Sequence, residues 1–200
     1  MTGQKPEIRT QVPITLDGNV RVLTTTFNNL SDGKEHIALV FDRGNAANAS
    51  LVRVHSSCVT GDIFGSQRCD CGDQLKDSIA RLDKEGGVLV YLFQEGRGIG
   101  LKAKLDAYAL QIDEGLDTFE ANRVLGHGED ERDYKPAAEI LGALGVKSIA
   151  LITNNPDKAV QLKSHGIDVV SIYPTRPRVL DENRAYLEAK KSRGHTLNLE

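Results

Sequence analysis

Residues 147–172 read KSIALITNNPDKAVQLKSHGIDVVSI, and this stretch decides the fold class. The apolar run 147–152 has strand length. The turn Thr153-Asn154-Asn155 leads into Pro156, which suits a first helical turn, and the helix it opens stops at Gly166 before a second strand at 168–172. Strand, helix and strand in succession argue an α/β architecture. Upstream, residues 134–144 carry Ala137, Ile140, Leu141 and Leu144 at helical spacing, residues 100–111 read as a helix, and 88–93 as a buried strand. Residues 73–85 place Leu75, Ile79 and Leu82 on one helical face, stopped by Gly86-Gly87. Downstream, the chain from Leu180 reads as a terminal helix with a polar tail at 190–200. The front is β-rich: Val20, Val22, Thr24 and Thr26 alternate with Arg21, Leu23, Thr25 and Phe27, and 36–42 and 51–55 are further strands separated by residues 44–50. The first twelve residues are polar and contain proline, which predicts a loose tail. The expected fold is therefore α/β, one domain over 1–200 with a mixed, partly antiparallel or barrel-like sheet flanked by helices. The chain carries no internal repeat, low-complexity tract or linker.

Composition removes several classes of function. Lys plus Arg number 25 and Asp plus Glu 28, a net charge of -3 that lacks the basic excess of a nucleic-acid binder. The apolar runs fall far short of the length that crosses a membrane. The N-terminal residues lack the apolar core of a secretory signal, so the expected location is the cytoplasm, where thiols stay reduced.

That compartment frames the reading of three cysteines. Cys58, Cys69 and Cys71 fall within fourteen residues of a 200-residue chain. Catalytic zinc sites commonly offer three protein ligands and keep a fourth position for water. Cys-x-Cys followed directly by a helix puts Cys71 near a helix N-terminus, which favours the thiolate a metal needs. Buried small residues, or a redox pair, remain the alternatives. A second cluster, Gln94-Glu95-Gly96-Arg97-Gly98-Ile99-Gly100, follows a strand; its glycines allow close approach to a ligand and Arg97 can grip an oxyanion, although an ordinary glycine turn reads the same. A third, Asp130-Glu131-Arg132-Asp133, reads by itself as a solvated charge run. The fourth, Thr153 to Lys158, lies after a strand where α/β sheets bind ligands, with Thr153 and Lys158 as phosphate contacts, or it is an Asn-Pro turn.

Together these clusters resemble the GTP cyclohydrolase II family. The resemblance runs in order from Leu51-Val-Arg-Val-His55 through Thr60-Gly61-Asp62, Arg68-Cys-Asp-Cys-Gly72, Gln94-Glu-Gly-Arg97, Ala107-Tyr108-Ala-Leu-Gln111, Asp117-Thr118, Ala121-Asn122, Asp130 to Tyr134 and Thr153-Asn-Asn-Pro156 to Tyr186-Leu187 and Gly194-His195. It implies opening of the guanine imidazole ring of GTP, with release of formate and pyrophosphate, as the first step of riboflavin biosynthesis. It implies Cys58, Cys69 and Cys71 as ligands of one Zn2+ per subunit, and Mg2+ accompanying the triphosphate. GTP contacts fall on Arg53, Val54, His55, Ser56, Ser57, Gln74, Glu95, Gly96, Arg97, Thr118, Thr153 and Lys158. Asp130 matches the proposed general base, Arg132 the proposed nucleophile, and Tyr108 a tyrosine beside the reacting groups. A homodimer without nucleic-acid or membrane partners is implied as well.

Three positions depart from the family pattern: Ser57 where a Glu is common, Asp106 where a basic residue is common, and His127 where a Phe is common. Two of them alter charge. They motivate a rival reading, action on another purine nucleotide or incomplete turnover. A nucleotide-binding regulatory protein with a structural zinc, and a thiol redox sensor, are the others.

Overall fold

The computed structural model describes residues 4–42, 50–128 and 130–198. The chain gathers into two compact units. One is drawn from Met1–His55, Lys76–Phe93 and Tyr134–Thr175, the other from Ser56–Leu75, Gln94–Asp133 and Arg176–Glu200.

The first unit carries the sheet. Strands β1 (Glu7–Thr15), β2 (Arg21–Asn28), β3 (Ile37–Phe41), β4 (Ser50–Ser56), β5 (Gly87–Leu92), β6 (Ser148–Ile152) and β7 (Asp168–Tyr173) run in the order β1-β2-β3-β5-β4-β6-β7. The pairs β1/β2, β2/β3 and β3/β5 are antiparallel, whereas β4/β6 and β6/β7 are parallel. The sheet is open, with β1 and β7 at its edges, so the partly antiparallel form is realised and the barrel-like form is not.

Helices α5 (Lys135–Ala143) and α6 (Pro156–Ser164) cover the sheet. Ala137, Ile140 and Leu141 of α5 and Leu162 of α6 are buried with Val52, Val54, Val88, Val90, Leu92, Ile149 and Leu151 in one core. The valines of β4 alternate with Arg53 and His55, which are buried as well, at 4% and 2% exposure. A central strand is covered on both faces, so its second face can carry shielded polar groups. Asn155 caps α6 by accepting the Asp157 amide at 3.0 Å, and Pro156 opens the helix as expected.

Two expectations about the ends are corrected. Residues 7–12 are no tail, because β1 pairs with β2 from Glu7↔Asn28 to Thr15↔Arg21. All nine residues of β1 are exposed, so burial left no apolar signature. Pro13 is tolerated because an edge strand needs no second ladder. At the other end α7 (Asp181–Ser192) takes in residues 190–192, and Leu197 is buried at 7% exposure. The separating residues 44–50 lie outside the described chain except for Ser50, which begins β4.

The second unit is helical and loop-built. It holds α1 (Val59–Asp62), the first turn of α2 (Cys71–Glu85), a 3-10 turn at Glu95–Gly98, α3 (Leu101–Asp113), α4 (Thr118–Val124) and α7. Helix α4 starts on a full capping box: Asp117 accepts the Phe119 and Glu120 amides, and Glu120 returns to the Asp117 amide.

Candidate metal centre and active site

In the second unit Cys58 precedes α1, while Cys69 and Cys71 sit at the start of α2. Their three sulfurs lie within 4.8 Å of one another, and Cys58 and Cys69 are 3.6 Å apart. Tetrahedral zinc with sulfur at about 2.3 Å requires sulfurs about 3.8 Å apart, so the donor set fits such an ion. Gly61 lies against the tripod. A Cβ there would stand 2.8 Å from Cys69 Sγ, 3.1 Å from Cys71 Cβ and 3.2 Å from Cys58 Sγ. Only glycine leaves the sulfurs room to converge.

Charge is arranged around the sulfurs. Cys69 and Cys71 donate toward Cys58, and Lys104 of α3 lies beside it, so the Cys58 thiol is driven far below its ordinary range. With that thiolate as acceptor, Cys69 is pushed up to about 11 and Cys71 is raised too. Lys104 Nζ donates to Cys58 Sγ at 3.1 Å, Thr60 Oγ1 at 3.0 Å and Glu95 Oε1 at 2.8 Å. The other Glu95 oxygen accepts the Val59 amide at 2.7 Å. Glu95, expected at the nucleotide, thus ties the Gln94–Gly98 loop to the Cys58 segment. Asp70, between the two α2 cysteines, is 1% exposed. Burial by itself would raise its carboxyl, but Lys190 at 2.9 Å and Gln74 hold it below the usual carboxylate range.

The glycine loop and the charge run meet. Gly96 and Arg97 both adopt left-handed backbone, at φ 62° and 60°. Glu131 donates its amide to the Arg97 carbonyl at 2.9 Å, and a Cβ on Gly98 would stand 2.8 Å from the Glu131 carbonyl carbon. Gln94 Nε2 donates to the Asp133 carbonyl at 2.6 Å. The run is therefore a docked segment. Arg97 lies over the Phe119 ring at 4.4 Å while its Nη1 is buried without a hydrogen-bond partner. Ser56 Oγ and Gln94 Oε1 are in the same condition. Buried polar atoms without partners are rare in proteins, which makes these three candidates for contact with a ligand. Arg132 chelates Asp130 through Nε at 2.7 Å and through Nη2. Burial opposes ionisation of Asp130, yet the Arg132 guanidinium keeps it below the ordinary carboxylate range. Tyr108 lies under Arg68 at 4.9 Å, and burial raises its phenol to about 12. Thr118 is half-buried in the first turn of α4, and Ser57 is 7% exposed.

The remaining expected contacts belong to the first unit. Arg53 Nη1 donates to the Ile152 carbonyl at 3.2 Å and its Nη2 lies 3.5 Å from His55 Nδ1. His55 stacks on Tyr91 with ring centres 5.5 Å apart. The Thr153 hydroxyl accepts the Asn155 amide at 3.0 Å. Lys158 is 5% exposed and donates to the Val54 carbonyl at 2.8 Å, with its ammonium 5.3 Å from the Tyr134 ring. These groups gather at the carboxyl ends of β4 and β6, the usual ligand end of a parallel sheet. Of the departing positions, Asp106 is exposed on α3, and His127 Nδ1 lies 3.5 Å from Glu131 Oε1.

The residues that bring charge to the sulfurs were not singled out from the sequence. Lys104, Asp70 and Lys190 lie within or next to recognised motifs, and the spacing of four between Lys104 and Tyr108 on α3 was the one sequence signal available.

An α/β sheet in one unit, and in the other a convergent three-thiol cluster that could hold a metal ion together with a glycine-arginine loop, define the class as an α/β protein with a candidate metal centre. The family model described as GTP cyclohydrolase II matches residues 5–174. The chain is 47% identical over 197 residues to GTP cyclohydrolase-2 of Vibrio cholerae, covering 96% of this chain and 99% of that one. It is 44% identical over 195 residues to GTP cyclohydrolase-2 of Psychromonas ingrahamii, covering 96% and 97%. It is 53% identical over 173 residues to the riboflavin biosynthesis protein RibBA of Thermotoga maritima, covering 86% of this chain and 44% of that protein. The chain belongs to the GTP cyclohydrolase II family.

Proposed function

We propose that the chain hydrolyses GTP, opening its imidazole ring to give formate, pyrophosphate and 2,5-diamino-6-(5-phosphoribosylamino)pyrimidin-4-one, the first step of riboflavin biosynthesis. The convergence of three sulfurs within 4.8 Å carries this reading. Cys58, Cys69 and Cys71 would hold Zn2+, which when bound supplies a Lewis acid and lowers the pKa of water. Two further waters are consumed, one releasing formate from the opened ring and one replacing pyrophosphate at the α-phosphorus.

The chain's own residues supply the remainder. Lys104 offsets the charge of the thiolates. Arg97 has an unpartnered guanidinium nitrogen to offer phosphate, with Mg2+ accompanying the triphosphate. Arg132, aimed by Asp130, stabilises charge as pyrophosphate leaves. Tyr108, neutral at working pH, donates a hydrogen bond near the reacting groups. Ser56, Ser57, Gln74, Glu95, Gly96 and Thr118 complete one set of nucleotide contacts, and Arg53, Val54, His55, Thr153 and Lys158 the other. Lys158 serves by fixing the Val54 carbonyl. Net charge of -3 gives the triphosphate no general attraction, so these cations must act locally. A cytoplasmic homodimer without nucleic-acid or membrane partners fits the same reading.

The test is formate release from GTP with and without a zinc chelator, with the product identified by mass spectrometry. Stoichiometric formate that the chelator abolishes is the expected result. An intact or merely hydrated ring overturns it.

A further inference from the structure

Helix α7 lies beyond residues 5–174, the range the family model matches, yet its Lys190 contacts Asp70, the residue between Cys69 and Cys71. Asp70 stands in the chain between Cys69 and Cys71, so the orientation of both thiols depends on how residue 70 is held. Its carbonyl accepts the Gln74 amide at 3.0 Å, and one carboxylate oxygen accepts from the Gln74 side chain. The other oxygen accepts Lys190 Nζ at 2.9 Å, a contact 120 residues distant in sequence. The pair is shielded: the Asp70 side chain is 0% exposed and that of Lys190 12%. The Lys190 ammonium also lies 4.3 Å from the Tyr186 ring. The Asp70 carboxylate is therefore held by protein donors in the folded chain.

We propose that α7 is part of the metal centre, with Lys190 acting through Asp70 as a positioning residue that holds the Cys69-Asp70-Cys71 segment in its metal-binding arrangement. The inference rests on the zinc reading above. Without Lys190 the carboxylate has no cation. It must recruit solvent or rotate toward another donor, and either change turns the flanking thiols away from a common centre. Groups that orient metal ligands typically change metal affinity by about 10- to 100-fold when removed.

The test compares zinc-loaded parent protein, Lys190→Met, Lys190→Arg and Leu187→Ala by competition with a chromogenic chelator, with thermal unfolding of each recorded alongside. Leu187 is fully buried on α7, and its truncation loosens the helix without removing a partner of Asp70. Lys190→Met is expected to raise the zinc dissociation constant about 10- to 100-fold, Lys190→Arg to restore most of the affinity, and Leu187→Ala to stay near the parent. Where Lys190→Met yields no folded protein, Lys190→Gln is judged by the same criteria. Parent-like affinity in Lys190→Met, or an equal loss in Leu187→Ala, overturns the inference while the zinc reading stands. A parent that binds no zinc overturns that reading and the inference with it.

Discussion

The ammonium of Lys104 lies 3.1 Å from Cys58 Sγ and 2.8 Å from Glu95 Oε1. Burial alone would lower the lysine's pKa, but Glu95 and Cys58 raise it above its ordinary value, so it is charged across the working range. Its side chain is 10% exposed and that of Glu95 12%. Removing one partner from so shielded a pair strands the other. Lys104→Met should lose about 3–5 kcal/mol of unfolding free energy, read from the urea midpoint at unchanged slope. Lys104→Met/Glu95→Gln should recover much of that loss, because no uncompensated carboxylate remains. A single variant as stable as the parent refutes the buried-pair account.

Gly61 supplies a sharper probe of the sulfur tripod. A methyl group there would meet Cys69 Sγ at 2.8 Å and Cys58 Sγ at 3.2 Å, so Gly61→Ala should push the thiols apart and lose bound metal while the sheet of the first unit stays folded. Elemental analysis beside circular dichroism reads both effects. Zinc retained at one per chain counts against the assigned centre.

Legibility in the sequence followed periodicity. Strands and helices with one buried face, such as β6 and α6, were readable because alternation or helical spacing records burial. β1 was not, because an exposed edge strand owes its structure to backbone pairing that leaves no apolar pattern. α4 and α1 are too short for periodicity, and α4 announces itself only through the Asp117 and Glu120 box. The cysteines were legible as a cluster. Lys104 and Lys190 were not, since a lysine reads as solvated unless its buried partner is known.

In the proposed reaction the Asp130–Arg132 pair would act at phosphorus. A carboxylate held below its ordinary pKa by the guanidinium it chelates is a weak base toward that guanidinium. The geometry favours a charge-stabilising role for Arg132 over nucleophilic attack. Arg132→Ala should then cut pyrophosphate release by about 10²–10⁴-fold, whereas Arg132→Lys, which keeps the charge, should recover a measurable part of it. If lysine is as inactive as alanine, and the quenched enzyme carries a nucleotide adduct on Arg132 by peptide mass spectrometry, the nucleophilic role is restored.

His36 offers a pH handle away from the cysteines. Its ring is 1% exposed; Nδ1 accepts the Phe93 amide at 2.9 Å, and Nε2 therefore carries the proton donated to Asp32 at 2.8 Å. Burial is the largest influence and lowers its pKa from 6.5; Lys34 acts the same way, while Asp32 and Glu139 oppose it. A protonated ring can no longer accept from Phe93, the residue that leads into the Gln94–Gly98 loop. The unfolded chain takes up this proton near pH 6.5 and the folded chain only at lower pH. His36 thus contributes stability that is present in full above pH 6.5 and is lost as pH falls through that value toward the folded pKa. The parent should lose more stability than His36→Gln on moving from about pH 7.5 to about pH 5, measured as the shift in urea midpoint. Equal shifts in the two proteins would show that His36 takes up its proton at the same pH folded and unfolded, so that burial does not lower its pKa.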